Sequence, residues 1–212
     1  MIECVTAENS SLFADTLNQM YRRRYDIFVK TRGWKGLDRG DGIEKDCFDN
    51  DDAVYLISIR EDGVLDGAMR LIPTTRPHLL SDVFPDFVAG PVPRGPDIYE
   101  MTRYFTIRDR DNAARMRIVA GELLCAMFEY CLDMRAKWIT TMFDTFYLRR
   151  TRENHWNEIL LGPAAKYDEG TAVAAEFAVS EKNLRATRQT HGISHRALRY
   201  TGFSAQRIST AA

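Results

Sequence analysis

The chain is predicted to be an α/β protein, a three-layer α/β/α sandwich around a mixed sheet. Three observations predict it. Strand-like segments precede and alternate with helical ones; two strands are joined closely enough around Asp62-Gly63 to form a hairpin; and the two longest helices carry apolar residues at helical spacing, a face to bury against a sheet. A length of 212 residues suits a single domain, 1–212, with enough chain to bury a core.

The elements follow in order. The first helix is placed at about Ser10 to Val29, where Phe13, Leu17, Met20, Tyr21 and Phe28 line one face. Next comes "TRGWKGLDRGDGIEKDCFDNDD", broken by Gly33, Gly36, Gly40 and Gly42. So long a stretch without periodicity inside a domain marks a lid or binding loop. "AVYLISIREDGVLDGAMRLIP" is the hairpin, residues 73–97 are Pro-rich and irregular, and "DIYEMTRYFTI" is a third strand. From Asn112 to Arg135 a long helix repeats Ile118, Val119, Glu122, Leu123, Met127 and Cys131 at helical spacing. "WITTMFDT" is a buried strand, "FYLRRTRENHW" a short helix, "TAVAAEFAVS" another strand, and Glu181 to Gln189 a basic helix.

Composition narrows the class. Apolar residues at 45% argue for a globular chain, and a net charge of −1 argues against a generally basic nucleic-acid surface. Cys4, Cys47, Cys125 and Cys131 show neither CxxC spacing nor a disulfide framework and read as reduced thiols. "MIECVTAENS" lacks a secretory pattern, and no apolar run approaches the roughly 20 residues that span a bilayer. A cytoplasmic protein with no membrane or nucleic-acid partner is expected.

Several charges stand where the pattern calls for apolar side chains. Arg24 falls near the centre of the first helix's apolar stripe, whereas Arg22 and Arg23 lie outside it. Arg70 interrupts "GAMRLIP", Glu100 and Arg103 interrupt "IYEMTRYF", and Asp46 and Asp49 stand three apart in the acidic loop. Singly, each fits a solvent-facing position or a side chain that reaches past its neighbours to water. Together, three arginines and three carboxylates balance, and buried charges persist mainly when paired. The set therefore reads as a polar pocket. Strict alternation would put Glu100 and Arg103 on opposite faces, so one points away or a bulge intervenes.

The blocks "RRRYDIFVKTRGW", "DCFDNDDAVYL", "GAMRLIPT", "LLSDVFP" and "YEMTRYF", and the spacing Arg24, Phe28, Trp34, Asp46, Asp49, Arg70, Phe84, Glu100, Arg103, resemble the acyl-homoserine lactone synthases, the LuxI-type autoinducer synthases of bacterial quorum sensing. The resemblance covers roughly residues 10–180 and leaves the following tail unassigned. It implies a fold like that of the GNAT acyltransferases, with a cleft between two splayed strands. It also implies two substrates and no separate cofactor: S-adenosylmethionine is N-acylated by an acyl thioester, and the lactone closes with release of methylthioadenosine. Phe84, Met101, Phe105, Thr140, Met142, Phe143 and Phe146 would lie around the acyl pocket. The blocks "GLDRGDGIEKDCFDNDDAVYL" and "RPHLLSDVFP" resemble the branch that uses acyl-coenzyme A rather than acyl carrier protein.

The residue types suit that chemistry. Guanidinium forks at Arg24, in the S-adenosylmethionine site, and at Arg70, in the catalytic set with Arg103 and Glu100, fit the methionyl carboxylate. Asp46 and Asp49 hold the arginines and face the cation, and Phe28 and Trp34 offer aromatic faces to the sulfonium or adenine. Glu100 is the candidate base for the amine, directly or through a water, and backbone N–H groups at a bulge beside it would stabilise the oxyanion. Arg149, Arg150 and Arg152 form a basic edge, either plain surface or a dock for an anionic carrier. His191 and His195 lack a third ligand, and the acidic loop does not fit calcium spacing, so no metal site is expected. The alternative activity is a GNAT-type acyl-CoA N-acyltransferase for another amine, but "RMRIVAGELL" matches the phosphate-loop motif of those enzymes poorly.

Overall fold

Two adjacent strands show why the chain makes a sheet buried on both sides. In β2 (Val54–Ile59) and β3 (Leu65–Pro73), Val54, Leu56, Met69 and Leu71 enter one core cluster, while Tyr55, Ile57 and Ala68 enter another. Strands covered on both faces read as continuous apolar runs, as these do. The turn between them needs a left-handed residue, which Gly63 supplies at φ 80°. The computed structural model describes residues 1–107, 112–167 and 170–203.

The other strands are β1 (Ile2–Val5), β4 (Ile98–Thr106), β5 (Trp138–Asp144), β6 (Ile159–Leu160), β7 (Ala165–Tyr167), β8 (Gly170–Ala178) and β9 (Leu198–Arg199). They form one mixed sheet in the order β6-β8-β5-β4-β3-β2-β1-β9, with β7 also on β8. The β1–β9 and β4–β5 pairs are parallel; the others are antiparallel.

One face is covered by α3 (Ala113–Asp133) and α5 (Glu181–His191), whose Leu123, Met127, Phe128 and Leu184 pack with Leu56, Met69 and Ile139. The two helices approach so closely at Gly121 that a Cβ there would lie 2.4 Å from His191 Cβ. The opposite face carries α1 (Ala14–Arg24) over the hairpin, and a short α2 (Leu79–Asp82) with the following turn over β5 and β8. The three-layer expectation holds.

Several boundaries differ from the sequence expectation. The first helix is a 3₁₀ turn at Ser10–Phe13, then α1, then a π-helical stretch at Tyr25–Thr31. β1, β6, β7 and β9 were not expected; two to four residues are too few for a periodicity signal. The irregular segment 73–97 contains α2, and the short helix is α4 (Leu148–Glu153). Part of the unassigned tail belongs to the fold: α5 packs on α3, and β9 extends the sheet. Cys4, Cys125 and Cys131 are buried free thiols, and Cys47 is exposed. Among the described residues no helix is long and apolar enough to cross a membrane.

Candidate active site

The sheet opens in its middle. β4 and β5 pair from Ile98↔Trp138 only to Met101↔Thr141, yet β4 runs on to Thr106 and β5 to Asp144. Beyond Met101 the two strands diverge, and a cleft of about 1350 Å³ runs between them. Phe28, Trp34, Asp46, Phe48 and Arg103 line one part, and Phe84, Phe87, Met142, Phe143 and Tyr167 another.

The question of Glu100 and Arg103 is settled by a bulge. Ala68 pairs with Phe105 and Arg70 with Thr102, so Arg103 and Tyr104 share one residue's space opposite Met69. Arg103 takes φ 53°, a left-handed conformation that costs a non-glycine residue about 1–3 kcal/mol. The bulge turns Arg103 toward the α1 face, where Glu44 and Asp46 hold it.

On that face the charges interlock. Arg24 donates from Nε to Glu44 Oε2 at 2.5 Å and forks onto Asp49 at 2.7 and 2.8 Å. Arg70 forks onto Asp46 at 2.6 and 3.0 Å, meets Asp49 at 2.7 Å and donates to Thr102 at 3.0 Å. Arg103 reaches Glu44 at 3.1 Å and Asp46 at 2.8 Å. Tyr55 donates to Asp49 at 2.8 Å, with Tyr21 a further 3.0 Å away. Burial pushes the Asp49 and Glu44 carboxyls up, but the adjacent arginines win, holding both below the usual carboxylate range. Burial lowers the Arg103 pKa, with Arg24 and Arg70 adding to the effect.

Glu44 takes the place in this cluster expected of Glu100. Glu100, fully buried, instead accepts N–H bonds from Leu79 and Leu80, both at 2.7 Å. The apolar surroundings raise its pKa to about 7, against the pull of those two N–H groups and of Arg70 and Arg103.

The remaining candidates divide. Arg24 is only 1% exposed, does not line the cleft, and spends its guanidinium on Glu44 and Asp49. In this structure its guanidinium braces the acidic loop and stands back from the wall where a ligand carboxylate would lie. Arg70 and Asp49 likewise lie behind the wall, whereas Asp46 and Arg103 reach it. Trp34 stacks on Phe28 at 4.9 Å, and the Arg32 and Arg103 guanidiniums lie 5.0 and 5.6 Å from its ring. Phe84, Met101, Met142 and Phe143 line the cleft. Phe105 packs beneath it against Phe28, Thr140 is sealed within the sheet, and Phe146, 66% exposed, is outside the wall against Tyr147. Of the basic edge, Arg150 reaches the cleft over the Tyr147 ring, while Arg149 and Arg152 are exposed.

Sequence reasoning missed Glu44, Arg32, Tyr167 and Arg117 as wall or cluster residues. Glu44 had one signal, its place two residues before Asp46 in the acidic loop. His191 bonds Asn154 and His195 bonds Glu122, and no cluster fit for a metal occurs among the described residues. "RMRIVAGELL" lies inside α3 rather than in a loop before it.

A mixed sheet split between two parallel strands defines an acyltransferase-like fold. A solved acyl-CoA N-acyltransferase from Pseudomonas aeruginosa shares it, with a TM-score of 0.57 over 82% of this chain and 99% of that one, at 12% identity. The charge-lined cleft takes the assignment further, because residues 8–187 match the model of the autoinducer synthase family. The chain belongs to that family and is an acyl-homoserine lactone synthase, an acyltransferase that makes a quorum-sensing signal.

The isovaleryl-homoserine lactone synthase of Bradyrhizobium diazoefficiens is 37% identical over 185 residues, 87% of this chain and 82% of that protein. An acyl-homoserine-lactone synthase of Pseudomonas aeruginosa is 28% identical over 90% of this chain and 94% of its own length. The structure of BjaI, a CoA-dependent acyl-homoserine lactone synthase, with SAM and isopentyl-CoA superposes with a TM-score of 0.89 at 32% identity, covering 100% of this chain and 98% of that one.

Proposed function

We propose that this enzyme acylates the amine of S-adenosylmethionine with a short acyl group from a coenzyme A thioester. The amine loses a proton, its nitrogen attacks the thioester carbonyl, and the tetrahedral intermediate expels coenzyme A as the thiol. The methionyl carboxylate then displaces the sulfur at the γ-carbon, closing the lactone and releasing methylthioadenosine.

The observation that carries the reading is the cleft's two-ended wall. At one end Asp46 presents negative charge and Phe28 and Trp34 present aromatic faces, which suit a sulfonium, while Arg103 suits a carboxylate. At the other, Phe84, Met142 and Phe143 offer an apolar pocket for the acyl group. The edges of β4 and β5 that no longer pair lie between them, where backbone N–H groups suit a developing oxyanion. Glu100, its carboxyl pushed up to about 7 by burial, is the group in this region poised to take the amine proton. It sits behind Leu79 and Thr102, which line the cleft, so a water relays the proton.

Support for coenzyme A over a carrier protein comes from Arg117 in the first turns of α3 and from Arg150, both on the wall and both suited to phosphate. It also comes from BjaI, which is CoA-dependent. Steady-state kinetics with matched acyl-coenzyme A and acyl-carrier-protein donors test the reading, with methylthioadenosine as the readout. At least tenfold higher efficiency with the carrier protein overturns the donor, and no methylthioadenosine with either overturns the reaction.

A further inference from the structure

Glu100 owes its environment to one short turn. Leu79 N–H meets its Oε2 and Leu80 N–H its Oε1, both at 2.7 Å. The residue before them is His78, fully buried and unassigned by the chemistry above. Its Nδ1 lies 2.9 Å from the Arg76 carbonyl oxygen, which can only accept, so Nδ1 carries the proton. Ser81 Oγ lies 3.0 Å from the same nitrogen. The His78 N–H reaches Ser81 Oγ at 3.2 Å and Asp82 Oδ2 at 3.1 Å, and the Ser81 and Asp82 N–H groups return to the His78 carbonyl at 3.2 and 3.0 Å. The ring therefore ties the chain before the turn to the third residue within it, with the two N–H donors in between.

We propose that His78 is a positioning residue for Glu100: its buried imidazole locks the Leu79–Asp82 turn so that two backbone N–H groups stay aimed at the carboxyl. The consequence for catalysis rests on the reading of Glu100 as the base. Nε2 of His78 is buried with no hydrogen-bond partner among the described residues. A second proton would have no acceptor there, so the ring stays neutral. Burial lowers its pKa and Arg94 adds to that, against the pull of the Arg76 carbonyl bond and of Asp82.

N–H bonds favour the charged Glu100 carboxylate, so they pull its pKa down against burial. Arg70 from β3 and Arg103 from β4 pull the same way. Glu176 of β8 stands in the same cross-strand row, beyond Thr140. A slack turn weakens only the N–H bonds, and the carboxyl then holds its proton to higher pH.

The test titrates Glu100 directly in the full-length protein, by carbon-13 NMR of labelled glutamate carboxyls, with the Glu100 signal assigned by its loss in Glu100→Gln. In His78→Phe, which keeps the bulk and loses the Nδ1 proton, the midpoint is expected to rise by about one pH unit, tenfold in proton affinity. His78→Asn, whose side-chain amide donates from about the same place as Nδ1, is expected to restore it. The acidic limb of kcat should move with the midpoint. Should His78→Phe not fold, Ser81→Ala cuts the ring's tie to the turn and gives the same test in the same direction. A folded variant whose Glu100 midpoint matches the unaltered protein overturns the proposal. A wild-type rate in Glu100→Gln overturns the catalytic consequence alone and leaves the grip on the carboxyl to the NMR result.

Discussion

Arg103 and Asp46 meet at 2.8 Å at the point where the buried charge cluster reaches the cleft wall. Arg24, Arg70, Glu44 and Asp49 lie behind them, each bonded to at least one of the pair or to a shared neighbour. The cluster therefore works as a brace whose exposed end is one cation and one anion.

Asp46→Asn tests that end. It keeps the shape but removes the charge facing a sulfonium and leaves Arg70 and Arg103 with a neutral partner. KM for S-adenosylmethionine should rise roughly 10- to 100-fold, the scale of a lost hydrogen bond to a charged group. KM for the acyl donor should change little. Initial-rate kinetics varying each substrate separately would show a shared rise if Asp46 merely holds the fold.

Arg24→Ala tests the interior. Glu44 and Asp49 would lose their shared partner inside the protein, at a cost of roughly 3–5 kcal/mol in folding stability. Arg22→Ala, on the exposed side of the same helix, should stay within about 0.5 kcal/mol. Urea unfolding separates the two, and equal losses would contradict the inward placement of Arg24.

Glu100→Gln should lower turnover by about 10²–10⁴-fold and abolish an acidic limb near pH 7. It has a second signature in stability. At pH below 4.5 both folded and unfolded states hold the Glu100 proton; from there to about 7 only the folded state does. Folding thus loses stability as pH rises through that window. The Gln variant cannot ionise, so its denaturation midpoints should fall less steeply between pH 5 and 7, whatever their absolute values.

Met142→Ala enlarges the apolar end of the cleft. Each buried methylene is worth about 0.8 kcal/mol, so a donor two carbons longer should gain about tenfold in kcat/KM relative to the preferred one. Competition between two acyl-coenzyme A donors, read by mass spectrometry, measures that ratio directly. An unchanged ratio would place the acyl group elsewhere.

What could be read from the residues alone followed signal length. α3 and the Asp62-Gly63 hairpin repeat a pattern for long enough to be seen, and Arg24 stood out because a clean stripe surrounded it. β1, β6, β7 and β9 are each four residues or fewer and exist because a neighbouring strand offers an edge. Glu44 was hidden among the loop's many acidic residues; only knowing that backbone N–H groups occupy Glu100 reveals that the arginines need a third carboxylate. The bulge at Arg103 was legible as a conflict, because alternation could not serve both it and Glu100. Which way the conflict resolved depended on pairing with β3, which lies outside the strand's own sequence.

The divergence of β4 and β5 also bears on solubility in the unliganded enzyme. An exposed strand edge invites a foreign strand, and natural sheets guard their rims with charge, bulges or short strands. Here two such edges face each other inside the sheet, where no rim would ordinarily exist. The kink at Arg103 breaks the regular spacing an incoming polypeptide would need, and Arg117 and Arg150 put charge on the wall of the gap. A flexible, narrow arm can thread that gap, whereas a second protein strand finds no register to match. The same irregularity that aims Arg103 at its carboxylates thereby works against strand addition along the open seam.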